Sequence, residues 1–310
     1  MIRCYHEIAI PVMSHHVSAA IQKRQSILND DTSALRLFDG IGDGQDGFFL
    51  ETYAEHWLVS TREPILSAEL KSFFENSDRS VYWKHLDQHD KDDPIHIAGK
   101  PQEDAFTAME SGVKYKIHFK AGYSQGIFLD QRLNRQRVRK HSGKGKRILN
   151  TFAYTGAFSV CAALNGATTT TLDLSQVYLN WAKENFALNN LRPEDHYFCK
   201  GDTFHWLKRF ARQGKIFDGI ILDPPTFSRD DKGKVFRVEK DYGHLVALAY
   251  QCLAKGGWIL CCTNCRKLDP RDFIRMIRDA APDSKVTSLS MPPEYSGEHY
   301  LKSIWLEKPA

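Results

Sequence analysis

Arg147-Ile148-Leu149-Asn150-Thr151-Phe152-Ala153-Tyr154-Thr155-Gly156-Ala157 decides the fold. The run begins as a short apolar strand, passes through a turn and enters an alanine-rich segment, 157–164, that reads as a helix. A strand-turn-helix unit directs backbone N–H groups toward a carboxylate or other anion at the start of the helix. Gly156 is the one glycine of the turn, so the stretch is not Gly-x-Gly-x-x-Gly. A nicotinamide dinucleotide needs those glycines for its pyrophosphate to approach the backbone, and the reading moves away from a dehydrogenase.

Downstream, strand and helix alternate. Strands are expected at 147–152, 169–174, 197–201, 218–222 and 258–262, with helices at 157–164, 175–189, 203–212, 245–253 and 271–280. Five such units specify an α/β, doubly wound, Rossmann-like sheet. Two late segments, 285–290 and 301–307, read as strands that add an antiparallel edge. Upstream the rhythm differs. A helix within 15–28 precedes strands at 34–38, 48–51 and 57–60, separated by Gly40-Ile41-Gly42-Asp43-Gly44 and Asp46-Gly47, which makes a smaller N-terminal α+β domain. The polar, Asp-rich stretch from His85 to Asp104 is expected to be a linker or long loop, with the boundary near Gly112 and domains at 1–112 and 113–310.

A hydrophobic share of 42% with 26% charged residues fits a chain that folds by itself. No segment approaches the ~20 apolar residues of a membrane span, so no membrane partner is expected. Seven cysteines, odd in number and without paired spacing, point to a reducing compartment, the cytoplasm. Charge is uneven: residues 1–112 hold 10 Lys and Arg against 19 Asp and Glu, so the remainder is strongly basic. Arg132, Arg135, Arg137, Arg139, Lys140, Lys144, Lys146 and Arg147 follow one another with no acid between them. They are candidate RNA phosphate contacts, with a solvated helix face as the alternative.

Ligands of an open parallel sheet bind at the carboxyl ends of its strands. Asn150, Asp173 and Asp202 close three successive strands. Asp173 stands 17 residues beyond Gly156, where a carboxylate accepts the ribose hydroxyls of a nucleoside, and Asp202, followed by Thr203, is placed to accept the amino group of adenine. Helix capping is the alternative for either acid alone. The fourth strand ends in Asp223-Pro224-Pro225-Thr226-Phe227. Two prolines remove donors and leave carbonyls and a carboxylate to receive the amino or imino hydrogens of a flat substrate, while Phe227 stacks on its ring. At the fifth strand, Cys262-x-x-Cys265 has no second pair at ligand spacing, so no metal is expected. Cys265 remains a candidate nucleophile toward a pyrimidine ring.

With these strings in view, the chain resembles the bacterial 23S ribosomal RNA methyltransferases that modify cytosine C5 or guanine N7, members of the class I methyltransferase fold. The likeness rests on Arg36-Leu37 with 40–44, Gly126-Ile127-Phe128-Leu129-Asp130-Gln131-Arg132, 150–156, Asp173-Leu174-Ser175 and 223–227. It implies S-adenosylmethionine as cofactor, with Phe128 and Asp130 beside it and Asn150, Tyr154, Thr155 and Gly156 around its methionine part. Phe152, Leu174, Ser175 and Thr203 belong to the same loops. Asp173 is implied to hold the ribose, Asp202 the adenine, and Asp223 with Pro225 the methyl-transfer side. The cysteine of the cytosine-C5 members, counted from Gly256-Gly257, falls on Asn264, one residue from Cys265. The resemblance therefore favours guanine N7, with Asp223, Pro224, Pro225, Phe227 and Asn264 at the acceptor and 23S RNA or a large-subunit precursor as partner. A C5 enzyme using Cys265, a protein or small-molecule methyltransferase, and a non-catalytic RNA-binding protein are the rivals.

Overall fold

The computed structural model describes residues 13–86, 93–120, 124–229, 233 and 235–310. Contacts divide the chain into Met1–Ala105, His118–Gln125 and Glu294–Glu298 on one side, and Phe106–Ile117, Gly126–Pro293 and His299–Ala310 on the other.

In the smaller unit, α1 (Met13–Arg24) and α2 (Ala68–Glu75) accompany β1 (Ala34–Asp39), β2 (Phe48–Tyr53), β3 (His56–Thr61), β4 (Ser80–His85) and β5 (Ile95–Ala98). The strands pair in that order, antiparallel except for β3 with β4. The stretch taken as a linker thus contains a strand: Ile95-His96-Ile97-Ala98 alternates for only four residues, too few to stand out beside Asp and Pro. Leu35, Leu37, Phe38, Phe48, Leu50, Val59 and Phe74 form the core. Residues 294–298 are fastened to this unit by Arg24, whose Nη2 donates to the Glu294 carbonyl at 2.8 Å, and by Gly297 N–H to Asp39 Oδ2 at 2.8 Å.

The larger unit opens with a hairpin, β6 (Phe106–Glu110) and β7 (Val113–Ile117). Gly112, where the boundary was expected, lies in its turn with φ 74°, so the two strands stay together in one unit. After α3 (Arg132–His141) come β8 (Arg147–Thr151), α4 (Ala157–Leu164), β9 (Thr168–Asp173), α5 (Gln176–Leu188), β10 (Tyr197–Lys200), α6 (Thr203–Arg212), β11 (Phe217–Leu222), β12 (Phe227–Arg229), β13 (Val235–Arg237), α7 (Val238–Gln251), β14 (Leu253–Thr263), α8 (Pro270–Ala280), β15 (Lys285–Leu289) and β16 (Lys302–Glu307). The main sheet has the order β10-β9-β8-β11-β14-β16-β15, parallel through β14 and antiparallel beyond it. Helices α3, α4 and α5 lie side by side, as do α6, α7 and α8, the two groups covering the sheet.

Side-chain caps fix helix starts: Ser175 accepts from Tyr178 N–H, Asp202 from His205 N–H and Asp269 from Arg271 N–H. Helix α7 begins earlier than its expected start at 245, because buried Val238, Tyr242, Leu245 and Val246 extend the apolar stripe through a first turn that is otherwise polar. Among the described residues no helix is long and apolar enough to cross a membrane.

Candidate active site

Between β8 and α4 the chain takes left-handed conformations at Phe152 (φ 51°), Tyr154 (φ 49°) and Gly156 (φ 73°). Left-handed backbone at two bulky aromatic residues is strained and persists only where neighbours hold it. Asp173 does so, its Oδ2 accepting from Tyr154 N–H and its Oδ1 from Ser175 N–H, both at 2.8 Å. Burial raises the Asp173 pKa, while these backbone donors oppose the rise. Thr155, fully buried, donates from Oγ1 to the Gly126 carbonyl at 2.7 Å, and Asn185 Nδ2 donates to the Thr155 carbonyl at 2.9 Å. Its side chain therefore braces the loop and does not line an open site.

A Cβ added at Gly156 would lie 2.7 Å from the Ala182 Cβ on α5, in a left-handed conformation besides. Gly156→Ala should lower S-adenosylmethionine affinity at least about tenfold through displacement of this loop. Calorimetric titration checks this, and unchanged affinity would count against the loop as a cofactor contact.

Around the loop, the Tyr154 ring packs 4.5 Å from Tyr178 and 5.4 Å from Phe128. Phe128 and Leu174 keep exposed apolar surface there. Besides Thr155, two more expected contacts are corrected. Asn150 is 1% exposed, its Nδ2 donating to Ser159 Oγ at 3.0 Å, because it points into the sheet-helix packing beneath β8. Thr203 is likewise buried in the first turn of α6. Asp202 Oδ1 takes the helix-capping bond from His205 N–H at 2.8 Å, a bond that does not use Oδ2.

The end of β11 is pinned by Tyr242, whose hydroxyl donates to the Leu222 carbonyl at 2.9 Å, and the next residue is Asp223. Gln131 Nε2 donates to Asp223 Oδ2 at 2.9 Å. Burial pushes the Asp223 carboxyl up to about 7; the nearby Asp130 charge adds to the rise, and Gln131 and Arg135 oppose it. Asp130, expected beside the cofactor, accepts from the Tyr300 hydroxyl at 2.9 Å. Pro224 is buried and Pro225 exposed. Phe227, 53% exposed, begins β12 and pairs with Arg237 of β13, a ribbon too short to be legible in the sequence. Thr226 Oγ1 donates to exposed Asn264 at 2.9 Å, whereas the neighbouring Cys265 is 2% exposed and packs in the main core. Both residues lie just beyond the end of β14 at Thr263, where the chain leaves Asn264 exposed beside Thr226 and turns Cys265 into the interior.

The basic run splits. Arg137, Lys140, Lys144 and Lys146 are exposed and Arg139 is partly so, donating to the Ser111 carbonyl at 3.1 Å. Arg132 and Arg135 are buried at 8% and 2% exposure. Arg135 Nε and Nη2 donate to the two Glu110 carboxylate oxygens at 2.7 and 2.5 Å, so the expectation that it meets RNA is wrong: the helix turns it inward. Lys144 and Lys146 precede β8, at the amino end of that strand and so opposite the strand-end loops.

An S-adenosylmethionine-dependent methyltransferase family model matches residues 71–301. A Bacillus subtilis (strain 168) protein, YwbD, provisionally named a ribosomal RNA large subunit methyltransferase, is 31% identical over 94% of this chain and 79% of its own. Ribosomal RNA large subunit methyltransferase K/L of Shewanella sp. (strain ANA-3) is 36% identical over 64% of this chain, a match that spans only 28% of that longer protein. The crystal structure of SMU.776, described as a provisional methyltransferase complexed with SAH, superposes with a TM-score of 0.86 at 28% identity, covering 95% of this chain and 80% of that one.

Proposed function

Because the chain belongs to the S-adenosylmethionine-dependent methyltransferases, we propose that it methylates a base of ribosomal RNA, with guanine N7 of the 23S molecule as acceptor. S-adenosylmethionine is its methyl donor and supplies an electrophilic methyl group on a sulfonium. The residues present suit it: exposed Phe128 and Leu174 offer apolar surface beside the Asp173 carboxylate and the backbone of 152–156. Asp173 is read as the ribose partner, Tyr154 and Gly156 as the walls for the methionine part, and Asp202 as the partner of the adenine amino group.

The observation that carries the acceptor reading is the orientation of Asn264 and Cys265. A C5 enzyme needs a thiolate within reach of the pyrimidine ring, and Cys265 is directed into the core. Guanine N7 carries its own lone pair, so positioning is what the protein must provide. Asp223 is suited to accept the N1 and exocyclic amino hydrogens of an extruded guanine, with the Pro224-Pro225 carbonyls beside it and exposed Phe227 as a stacking face. As N7 gains the methyl group the ring becomes cationic and those hydrogens more acidic, so the bond to a carboxylate strengthens toward the transition state. The exposed cations Arg137, Lys140, Lys144 and Lys146 are read as RNA phosphate contacts away from the base.

The deciding experiment transfers labelled methyl from S-adenosylmethionine to total RNA from a strain lacking this gene, followed by nucleoside mass spectrometry. 7-Methylguanosine is expected, and Cys265→Ser should keep activity within about twofold, since it touches no reacting atom. 5-Methylcytidine together with an inactive Cys265→Ser would overturn the guanine reading. Label absent from RNA with cofactor binding intact would direct the search to protein or small-molecule acceptors.

A further inference from the structure

Beneath the Asp223 loop lies a buried polar network that the transfer step alone does not call for. Gln131, Asn134, Ser303 and Cys262 are 3%, 4%, 4% and 0% exposed. Asn134 Nδ2 donates to Gln131 Oε1 at 2.6 Å and to Ser303 Oγ at 2.8 Å. The Cys262 thiol lies 3.8 Å from Gln131 Oε1 and 3.6 Å from Ser303 Oγ. Both donors beneath Gln131 thus meet its carbonyl end, which turns its NH2 toward Asp223. Amide orientation is set by such partners. The network draws on four separate elements, the turn before α3, α3 itself, β14 and β16, so the amide is held from several sides.

We propose that Gln131 is a positioning residue for methyl transfer: its amide, locked by Asn134, Ser303 and Cys262, holds Asp223 Oδ2 and thereby aims Oδ1 at the acceptor base. This rests on the reading of Asp223 as the acceptor's partner. A buried amide whose far end is already saturated cannot rotate with a surface fluctuation, so the carboxylate it grips stays aligned between turnovers. Several ionisable groups share the neighbourhood: Asp130 and Arg135 act on Asp223, and burial above all, with the Asp223 charge adding to it, raises the pKa of Cys262 and Tyr242. The hydrogen bond from Gln131 favours the charged carboxylate, so removing it has a direction.

Gln131→Leu keeps the volume and deletes the grip. The pH profile of kcat for the methylated acceptor should move to the alkaline side by about one pH unit, with kcat near neutrality down about tenfold and recovering at high pH. S-adenosylmethionine affinity should stay within about twofold. Asn134→Ala, which frees the amide without removing it, should move the profile in the same direction by less. Should Gln131→Leu fail to fold, the Asn134→Ala profile decides. A uniform loss across pH, or a loss explained by weaker cofactor binding, means a merely structural residue and overturns the proposal. Asp223→Asn separates the two levels: if it is as active as the native enzyme, the Asp223 reading fails and takes Gln131 with it; if it is inactive while Gln131→Leu keeps the native profile, only the Gln131 proposal falls.

Discussion

Asp223→Asn should cut methyl transfer at pH 8 by about 100- to 1000-fold while changing S-adenosylmethionine affinity less than about twofold. The amide keeps the shape of the carboxyl but loses the charge that a cationic transition state requires. Stopped-time transfer assays and calorimetric titration separate the two quantities, and lost cofactor binding would refute an acceptor-side role. The pH dependence adds a second signature. With a carboxyl pushed up to about 7, native activity should rise through neutral pH as Asp223 ionises, and the variant should lack that limb. Stability moves the other way. An acid whose folded pKa is raised contributes stability at low pH that is lost as pH climbs toward the folded value. The melting temperature gained by Asp223→Asn should therefore be larger at pH 8 than at pH 5, and an equal gain at both would mean the carboxyl is not perturbed.

The largest effect on folding belongs to Arg135. Its guanidinium and the Glu110 carboxylate are each 2% exposed and joined by two hydrogen bonds. Arg135→Ala leaves the Glu110 charge buried without its partner and should cost about 3–5 kcal/mol in urea unfolding. Replacing both by apolar residues of similar volume, Glu110→Leu with Arg135→Met, should recover most of that loss, because the desolvation of two charges offsets much of their attraction. RNA affinity of the folded double variant should match the native protein. A stable Arg135→Ala with weakened RNA binding would restore the surface role that the sequence suggested.

Much of the architecture was legible because strands 147–152, 169–174 and 218–222 end in chemically distinctive residues and are separated by helices of ordinary length. The observed parallel sheet and its antiparallel strands match that reading. What escaped was short or mixed in signal: β5, β12 and β13 have too few residues for a period to show, and the β6–β7 hairpin lies where acidic and basic stretches meet. Within the candidate site, residue type singles out Asp173 and Asp223 but does not give the direction of side chains one position apart. Asn150 and Arg135 are polar residues whose burial depends on partners in other elements, Ser159 on α4 and Glu110 on β6. Gln131 stood in a recognised string, yet nothing about a lone glutamine announces that it meets Asp223, 92 positions away.

The placement of β16 bears on how the polypeptide matures during synthesis. Strand Lys302–Glu307 is interior to its sheet, between β14 and β15, and residues 294–298 are part of the smaller unit. The smaller unit waits for residues 294–298 and the larger for β16, which is not synthesised until residue 307. The usual sequence, in which an N-terminal domain matures while the next is being made, is not open here. Nascent chains arrested before residue 294 should accordingly depend on chaperones and be cleared by proteases as two incomplete units, rather than persist as one folded fragment.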